Sequence, residues 1–118
     1  MNNKGFVEAI ELIASSALNG LLKAIENPPG RSPSPNLVQI SDFFRTLNEK
    51  DRQTFAIALE LASRQSINNL FLVLDGSLAF ESMAEKGQLE LYYNNGKERV
   101  RLNDPCEVPL NEIYRRDD

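Results

Sequence analysis

The sequence has no histidine and a single cysteine. Without histidine, the chain cannot form a His-dependent catalytic triad, use a histidine general base or ligate zinc through imidazole. With Cys106 alone, neither an intramolecular disulfide nor an all-cysteine zinc site is possible, and the chain fits a reducing cytosol. No cation stands next to Cys106 in the sequence to activate its thiol. We therefore expect a half-buried structural cysteine.

The common phosphate-binding and nucleophile motifs are also missing. The chain contains no Gly-x-Gly-x-x-Gly, no Gly-x-x-x-x-Gly-Lys and no Gly-x-Ser-x-Gly. Glu81 and Glu85 lie four residues apart with Asp75 nearby, and a carboxylate-dependent enzyme would need such acids. Solvated loop acids are the simpler interpretation, and the spacing of Asp75, Ser77 and Glu81 does not fit a calcium loop. We predict no enzyme, no catalytic residue, no metal and no cofactor.

The chain has no excess of basic residues, and charged residues interrupt its long N-terminal apolar stretch. The chain has 17 acidic and 13 basic residues, a net charge of −4, which argues against a nucleic-acid binder. Residues 6–25 are rich in apolar side chains, but Glu8 and Glu11 interrupt them. This argues against a signal peptide or a membrane span. A chain of 118 residues with ordinary composition is predicted to be one cytoplasmic domain.

Apolar residues with helical spacing predict two helices in the first 47 residues, separated by a loop. The first helix is predicted over residues 4–26 and the second over residues 37–47. Between them, the Pro-, Gly- and Ser-rich residues 27–36 are predicted to be a flexible loop. The predicted buried stripe of the first helix is Phe6, Ile10, Ile13, Ala14, Ala17, Leu21, and Ala24 or Ile25. That of the second is Leu37, Ile40, Phe43, Phe44 and Leu47.

The most apolar stretch, residues 66–76, is predicted to be the central helix. A preceding helix is expected over residues 49–64, with Asn48 as its N-cap. Ser66 is expected to cap the central helix after a break near Gln65, and one long helix is the alternative. Gly76 suits the left-handed position that ends a helix. The helix before the break is expected to bury Phe55, Ile57 or Ala58, Leu59 and Ala62, and the central helix places Ile67, Leu70, Phe71 and Leu74 on one face.

Two alternating segments around Asn95-Gly96 predict a β-hairpin. With a two-residue turn at this dipeptide, Leu91 faces Val100 and Leu89 faces Leu102 on an apolar side. On the other side, Glu90 meets Arg101 and Tyr92 meets Arg99. A hairpin alone is marginally stable, so it should pack on the helices. The predicted fold class is therefore α+β, mainly helical, with three to four helices and a C-terminal antiparallel hairpin.

The outer face of this hairpin is the candidate binding surface. It combines Tyr92 with Arg99 and Arg101, residue types that anchor protein interfaces. Glu81 and Glu85 are further candidate binding residues, because their carboxylates could contact a basic partner. The alternative interpretation is a stable exposed hairpin with cross-strand ion pairs and no binding role.

The C-terminal half resembles a known kind of protein. The motifs are residues 71–76 (Phe-Leu-Val-Leu-Asp-Gly), Phe80-Glu81, residues 87–93 (Gly-Gln-Leu-Glu-Leu-Tyr-Tyr), residues 102–105 (Leu-Asn-Asp-Pro) and residues 109–114 (Pro-Leu-Asn-Glu-Ile-Tyr). They resemble a group of small, uncharacterised bacterial cytosolic proteins, similar in style to the immunity proteins that neutralise bacterial toxins. The resemblance implies a one-domain protein that works by binding, and it transfers no catalytic residue.

Three hypotheses follow. The first is a non-enzymatic protein-binding domain of bacterial type, in its specific form an immunity protein that neutralises a basic toxin by occlusion. The second is a structural or regulatory homo-oligomer, for example a homodimer packed through the hairpin. The third is the small carboxylate-dependent enzyme. None of the three involves nucleic acid or a membrane.

Overall fold

The computed structural model describes residues 1–79 and 87–116. The elements in chain order are α1 (Asn3–Glu26), α2 (Pro35–Arg45), α3 (Glu49–Leu74), β1 (Tyr92–Asn94), β2 (Arg99–Arg101) and α4 (Leu110–Arg116). The strands pair antiparallel, and the hairpin region is tied to α3 by a hydrogen bond from Asn103 Nδ2 to the carbonyl of Leu74. The predicted mainly helical α+β fold with a hairpin packed on the helices is confirmed.

Residue contacts divide the chain into two compact units. The first unit comprises Met1–Leu12 and Arg64–Asp118, and the second comprises Ile13–Ser63. Both α1 and α3 contribute residues to each unit. The expectation of a single domain stays a prediction, as does the flexibility of the loop between α1 and α2.

Helix α3 is continuous from Glu49 to Leu74, so the predicted break near Gln65 and the Ser66 cap are wrong, and the alternative of one long helix is correct. No Gly or Pro interrupts the sequence there, and serine caps a helix only where the chain leaves helical geometry. The start and end follow the prediction. Asn48 Oδ1 accepts a hydrogen bond from the Asp51 amide at 2.8 Å, and Gly76 ends the helix at φ +80°.

The core of the first unit is a small aromatic and aliphatic cluster. Val7, Phe71, Leu110 and Tyr114 are all buried, and the rings of Phe71 and Tyr114 meet edge to face with centroids 5.4 Å apart. Phe71 is therefore central, as predicted for its segment. Its neighbour Leu70 is 57% exposed, so the helix is not buried on every side.

The second unit buries few of its apolar side chains. Ile25 and Phe44 are buried, and Phe44 packs against Phe55 with ring centroids 5.6 Å apart. Arg52 also packs on Phe44, with its guanidinium carbon 4.9 Å from the centroid of the Phe44 ring. Seven large apolar residues of this unit are more than a third exposed: Ile13, Leu21, Val38, Ile40, Phe43, Ile57 and Leu61.

The predicted buried stripes are therefore partly wrong. On α1, Ile13 and Leu21 are 64% and 44% exposed, and Ala17 is exposed as well. On α2, Ile40 and Phe43 face solvent. On α3, the expected buried positions Ile57, Ala58 and Ala62 are also exposed. Each helix carries apolar residues on more than one face, so periodicity alone cannot select the face that is buried.

Helix α1 is long and apolar enough, by length and composition alone, to cross a membrane. Its most apolar 18-residue window has a mean hydropathy of 1.3, and 6% of that window is buried. The core helix of a soluble protein passes the same test, so the observation is weak evidence for location. The expectations of a cytoplasmic protein without a membrane span stay predictions.

Candidate functional site: the outer face of the hairpin

The turn of the hairpin lies one residue later than predicted, because the Asn95 amide donates to the Glu98 carbonyl at 3.2 Å and only Gly96 and Lys97 lie between these two residues. The strands end at Asn94 and resume at Arg99, and Asn95 Oδ1 accepts hydrogen bonds from the amides of Lys97 and Glu98, both at 2.9 Å. Gly96 has φ +86°, whereas no non-glycine residue in the described chain has positive φ. A two-residue type I′ turn needs positive φ at both of its central residues. The prediction of that turn at Asn95-Gly96 is therefore wrong, because the chain reverses at Gly96-Lys97 and the Asn95 side chain accepts the amides on the far side of the turn.

Moving the turn by one residue shifts the strand register by two residues. Tyr93 pairs with Val100 and Tyr92 pairs with Arg101, and the Leu102 amide donates to the Leu91 carbonyl at 2.8 Å. The predicted pairing of Leu91 with Val100 is wrong. Because a shift by an even number of residues keeps every side chain on its own face, the apolar and polar faces are nevertheless the predicted ones.

Diagonal contacts bring the predicted side-chain pairs together on the outer face. The guanidinium carbon of Arg99 lies 4.0 Å from the centroid of the Tyr92 ring. Arg101 Nη1 lies 3.6 Å from Glu90 Oε1. Diagonal neighbours on a sheet remain within reach of long and aromatic side chains. Tyr92, Arg99 and Arg101 thus form one surface together with Glu90, which we call the hairpin outer face.

The members of the hairpin outer face differ in burial. Tyr92 is 39% exposed, and Arg99 is exposed. The Arg101 side chain is 21% exposed, since its Nε also donates to Asn103 Oδ1 at 3.3 Å. Arg101 therefore belongs partly to the support of the hairpin. The other predicted site residues, Glu81 and Glu85, lie outside the residues that the structure describes.

Asn103 helps to fix the hairpin to the rest of its unit. Its side chain is buried, with 6% relative exposure for the residue. Its Nδ2 donates to the carbonyls of Leu74 at 2.7 Å and Leu89 at 2.8 Å, and its Oδ1 accepts from the amide of Leu91 at 2.9 Å. Both the NH2 group and the oxygen of the side-chain amide are thus hydrogen-bonded. No local signal in the sequence indicates partners 12 to 29 residues away.

Asp75 has a comparable structural role. Its Oδ1 and Oδ2 accept hydrogen bonds from the amides of Leu110 and Asn111, each at 3.0 Å. These amides are unpaired donors of the first turn of α4, where a carboxylate is favoured. Asp75 therefore caps α4 from a distant part of the chain.

A cavity of about 240 Å³ lies between the end of α3 and the hairpin. Its polar lining includes Asp75, Arg101 and Asn103, each of which already holds the partners given above. Among the described lining residues, Asp75 is the one acid. The described part of the cavity thus offers no converging pair of acids of the kind that the enzyme hypothesis requires.

The described residues contain no cluster that could hold a metal ion, and their single thiol is exposed. In residues 1–79 and 87–116, no group of three or more His, Cys, Asp or Glu side chains is placed to hold a metal ion. Cys106 is exposed, so the expectation of a half-buried thiol is wrong. The reason is local: Asp104 folds the chain into a tight turn by accepting from the Cys106 amide at 2.9 Å, and this turn lies at the surface.

Comparison with protein-family models, with curated proteins and with solved structures gives no match to this chain. The functional argument therefore depends on the geometry of the described residues.

Proposed function

We propose that this chain is a non-enzymatic protein-binding domain that recognises its partner through the hairpin outer face. The observation that carries the proposal is the exposed contact between Tyr92 and Arg99, at 4.0 Å. A guanidinium held over an aromatic ring is preorganised, so little side-chain entropy is lost when a partner binds. Tyrosine and arginine are also the side chains that most often carry binding energy in interfaces.

The pairing within the face leaves Arg99 available to a partner. Arg101 is neutralised by Glu90, whereas Arg99 makes no ion pair with any residue in the described part of the chain. Its stacked guanidinium presents N–H donors at its edge, which suit a carboxylate or a backbone carbonyl of the partner. The ring of Tyr92 adds apolar contact area beside them.

The specific form of the proposal is an immunity protein that neutralises a toxin by occlusion. It is supported by the small size, the net charge of −4 and the resemblance of the C-terminal half to proteins of that kind. An acidic chain is attracted to a basic partner, which raises the association rate and makes binding sensitive to salt. Glu81 and Glu85 are proposed as acids that contact such a partner.

Affinity purification from an extract of the host tests both levels of the proposal. The tagged chain is used at low and high salt, and the retained proteins are identified by mass spectrometry. A stoichiometric basic partner that is lost at high salt supports the immunity form. A stoichiometric partner that is retained at high salt supports protein binding but contradicts electrostatic occlusion.

Arg99→Ala tests the surface itself, with Lys97→Ala as the matched control. Both substitutions remove one exposed cation from the same hairpin, so they change the net charge equally. Arg99→Ala should reduce the retained partner about tenfold or more, as expected for an interface anchor, whereas Lys97→Ala should retain it. Equal retention by both variants would place the binding surface elsewhere.

A further inference from the structure

Strand β1 has a hydrogen-bonded neighbour on one side only. The Leu102 amide donates to the Leu91 carbonyl at 2.8 Å, so the odd-numbered residues of this strand direct their backbone groups toward β2. Successive residues of a strand direct these groups to opposite edges, and those of Glu90, Tyr92 and Asn94 therefore point away from β2. No residue in 1–79 or 87–116 makes a hydrogen bond with these outward-pointing groups.

The open edge of β1 extends beyond the strand itself. Residues 87–90, which precede it, are all exposed. The side chain of Asn103 binds the Leu89 carbonyl and the Leu91 amide in the way that a neighbouring strand does, so the extended run continues back from β1. The edge of β2 is more restricted, because β2 runs into Asn103, which is 6% exposed. We call the outward-facing side of residues 88–94 the β1 edge.

The β1 edge lacks the features that usually keep an edge strand from pairing. Proteins protect such edges with lysine, proline, bulges or inward-pointing charges. Residues 88–94 read Gln-Leu-Glu-Leu-Tyr-Tyr-Asn and contain no Lys, Arg or Pro. Their one charged side chain, Glu90, is already paired with Arg101 at 3.6 Å. The β1 edge is therefore suited to accept a further strand.

The β1 edge is complementary to a second copy of itself. When two copies pair antiparallel about a two-fold axis at Leu91, each residue lies opposite the residue at the same distance on the other side of Leu91. The outward backbone groups of the two copies then form about eight hydrogen bonds. Gln88 lies opposite Asn94, so two side-chain amides meet, and Leu89 lies opposite Tyr93 on the apolar face.

The charges select this axis. Glu90 lies opposite Tyr92 of the second copy, and the guanidinium carbon of Arg99 lies 4.0 Å from the centroid of that ring. A carboxylate is thus placed beside a cation of the other chain, and the contact occurs twice in the pair. An axis at Glu90 would instead set two carboxylates opposite each other. An axis at Tyr92 would bring the two Arg99 side chains together.

We infer that the β1 edge pairs with the β1 edge of a second copy of this chain, which joins the two hairpins into one antiparallel sheet. A hairpin alone is marginally stable, and added strands stabilise it. One strand of each chain takes part, so the interface falls in the small class, below about 1,200 Å². A reversible dimer is expected, with a dissociation constant on the order of 10 μM.

This pairing does not depend on the proposed function. Strands add to a sheet within its plane, so the hairpin outer face of each copy stays at the surface. Arg99 keeps N–H donors for a protein partner, because one carboxylate uses only some of the donors of a guanidinium group. A dimer would present two hairpin outer faces on the same side of the joined sheet.

Analytical ultracentrifugation of the full chain tests the inference, with Glu90→Pro as the disruptive variant. Proline removes an outward-pointing amide and places its ring at the edge, so the dissociation constant should rise about a hundredfold or more. The hairpin should tolerate this change, because the lost amide has no partner in the described chain. Glu90→Ala is the matched control, since it removes the same side chain and keeps the amide. Its dissociation constant should rise less than about tenfold.

A crosslinking measurement tests the register and keeps the test valid if Glu90→Pro does not fold. In a Cys106→Ser background, a mixture of Leu89→Cys and Tyr93→Cys chains should form an intermolecular disulfide under a mild oxidant, because the two positions lie opposite each other. Neither variant alone should form one, since its two thiols lie about 13 Å apart along the strands. Far-ultraviolet circular dichroism checks that every variant keeps its helices.

Four results would overturn the inference. The first is a wild-type chain that stays monomeric up to about 1 mM. The second is an equal dissociation constant for Glu90→Pro and Glu90→Ala, since the contact would then not use the backbone edge. The third is a disulfide in either single-variant sample and none in the mixture. The fourth is a monomeric chain whose partner from host extract is lost with Glu90→Pro and kept with Glu90→Ala, which would assign the β1 edge to a strand of that partner.

Discussion

Asn103→Asp is the substitution that most sharply tests how the hairpin is held in place. The change keeps the shape of the side chain and replaces its NH2 group by an oxygen. Nδ2 donates to two carbonyls, of Leu74 at 2.7 Å and of Leu89 at 2.8 Å. A carboxylate would place a second acceptor oxygen against both of these carbonyl oxygens, so neither hydrogen bond could form. Its Oδ1 contacts with the Leu91 amide and with Arg101 would remain.

The size of the effect follows from these two lost bonds. Each contributes about 1 kcal/mol net, and each partly buried carbonyl that loses its donor adds up to about 1 kcal/mol of desolvation cost. We expect the free energy of unfolding to fall by about 3–4 kcal/mol, and the melting temperature by about 10 °C or more. The assay is urea unfolding at pH 7, followed by far-ultraviolet circular dichroism.

The pH dependence has a definite sign. Burial and the two facing carbonyls raise the pKa of the new carboxyl group above its unfolded value of about 3.9, whereas the Leu91 amide and Arg101 lower it. The net shift is upward, because the two carbonyls lie at 2.7 and 2.8 Å and the Arg101 Nε lies at 3.3 Å. The folded variant therefore binds the proton more tightly than the unfolded chain. Its stability deficit relative to the wild type should be largest above the raised pKa and should shrink as the pH falls through that value towards about 4.

Asn95→Asp is the matched control for this prediction. Asn95 Oδ1 only accepts hydrogen bonds, from the amides of Lys97 and Glu98, and a carboxylate oxygen accepts equally well. Its stability should stay within about 0.5 kcal/mol of the wild type. If Asn103→Asp were as stable as Asn95→Asp, or if its deficit grew at low pH, the role assigned to Asn103 would be refuted.

Three further substitutions test other parts of the structure, all by thermal unfolding. Gly20→Ala should stabilise the chain by about 0.5–1 kcal/mol, because a Cβ at this position meets no atom within 4 Å. Gly5→Ala should stabilise it less, since a Cβ there would lie 3.3 Å from Asn2 Oδ1. Equal stabilisation by the two substitutions would contradict this account. Gly76→Ala should destabilise the chain by about 1–2 kcal/mol because φ is +80°, and an unchanged melting temperature would argue against the left-handed helix end. Asp75→Ala should lower the free energy of unfolding by about 1–2 kcal/mol through loss of the α4 cap. Asp75→Asn should lower it far less, because the amide keeps one acceptor oxygen. Equal losses of stability would count against the capping role.

Local sequence signals predicted the parts of the fold that depend on local interactions. Asn48 and Gly76 mark the ends of α3 because each acts on backbone groups within one turn of itself. The two faces of the hairpin follow from strict alternation, which survives a register shift of two residues. The register itself was missed, because it depends on how the Asn95 side chain closes the loop and not on the Asn-Gly dipeptide alone.

Features that depend on distant residues could not be predicted. Asn103 and Asp75 resemble ordinary turn residues in the sequence, and their partners lie up to 29 and 36 positions away. The buried side of α1 was predicted only in part, because Ile13 and Leu21 fit a helical period as well as the buried Ile25 does. Only the placement of the other helices shows that these two side chains are left uncovered.

Site-specific photocrosslinking measures the central claim most directly. A photoreactive phenylalanine analogue replaces Tyr92 on the hairpin outer face in one variant and Phe43 in another. Phe43 is a suitable control because it is 55% exposed, more than the 39% of Tyr92, and lies in the other unit. After irradiation in host extract, the account predicts a crosslinked protein partner from position 92 and none from position 43. Crosslinking from position 43 alone would contradict recognition through the hairpin.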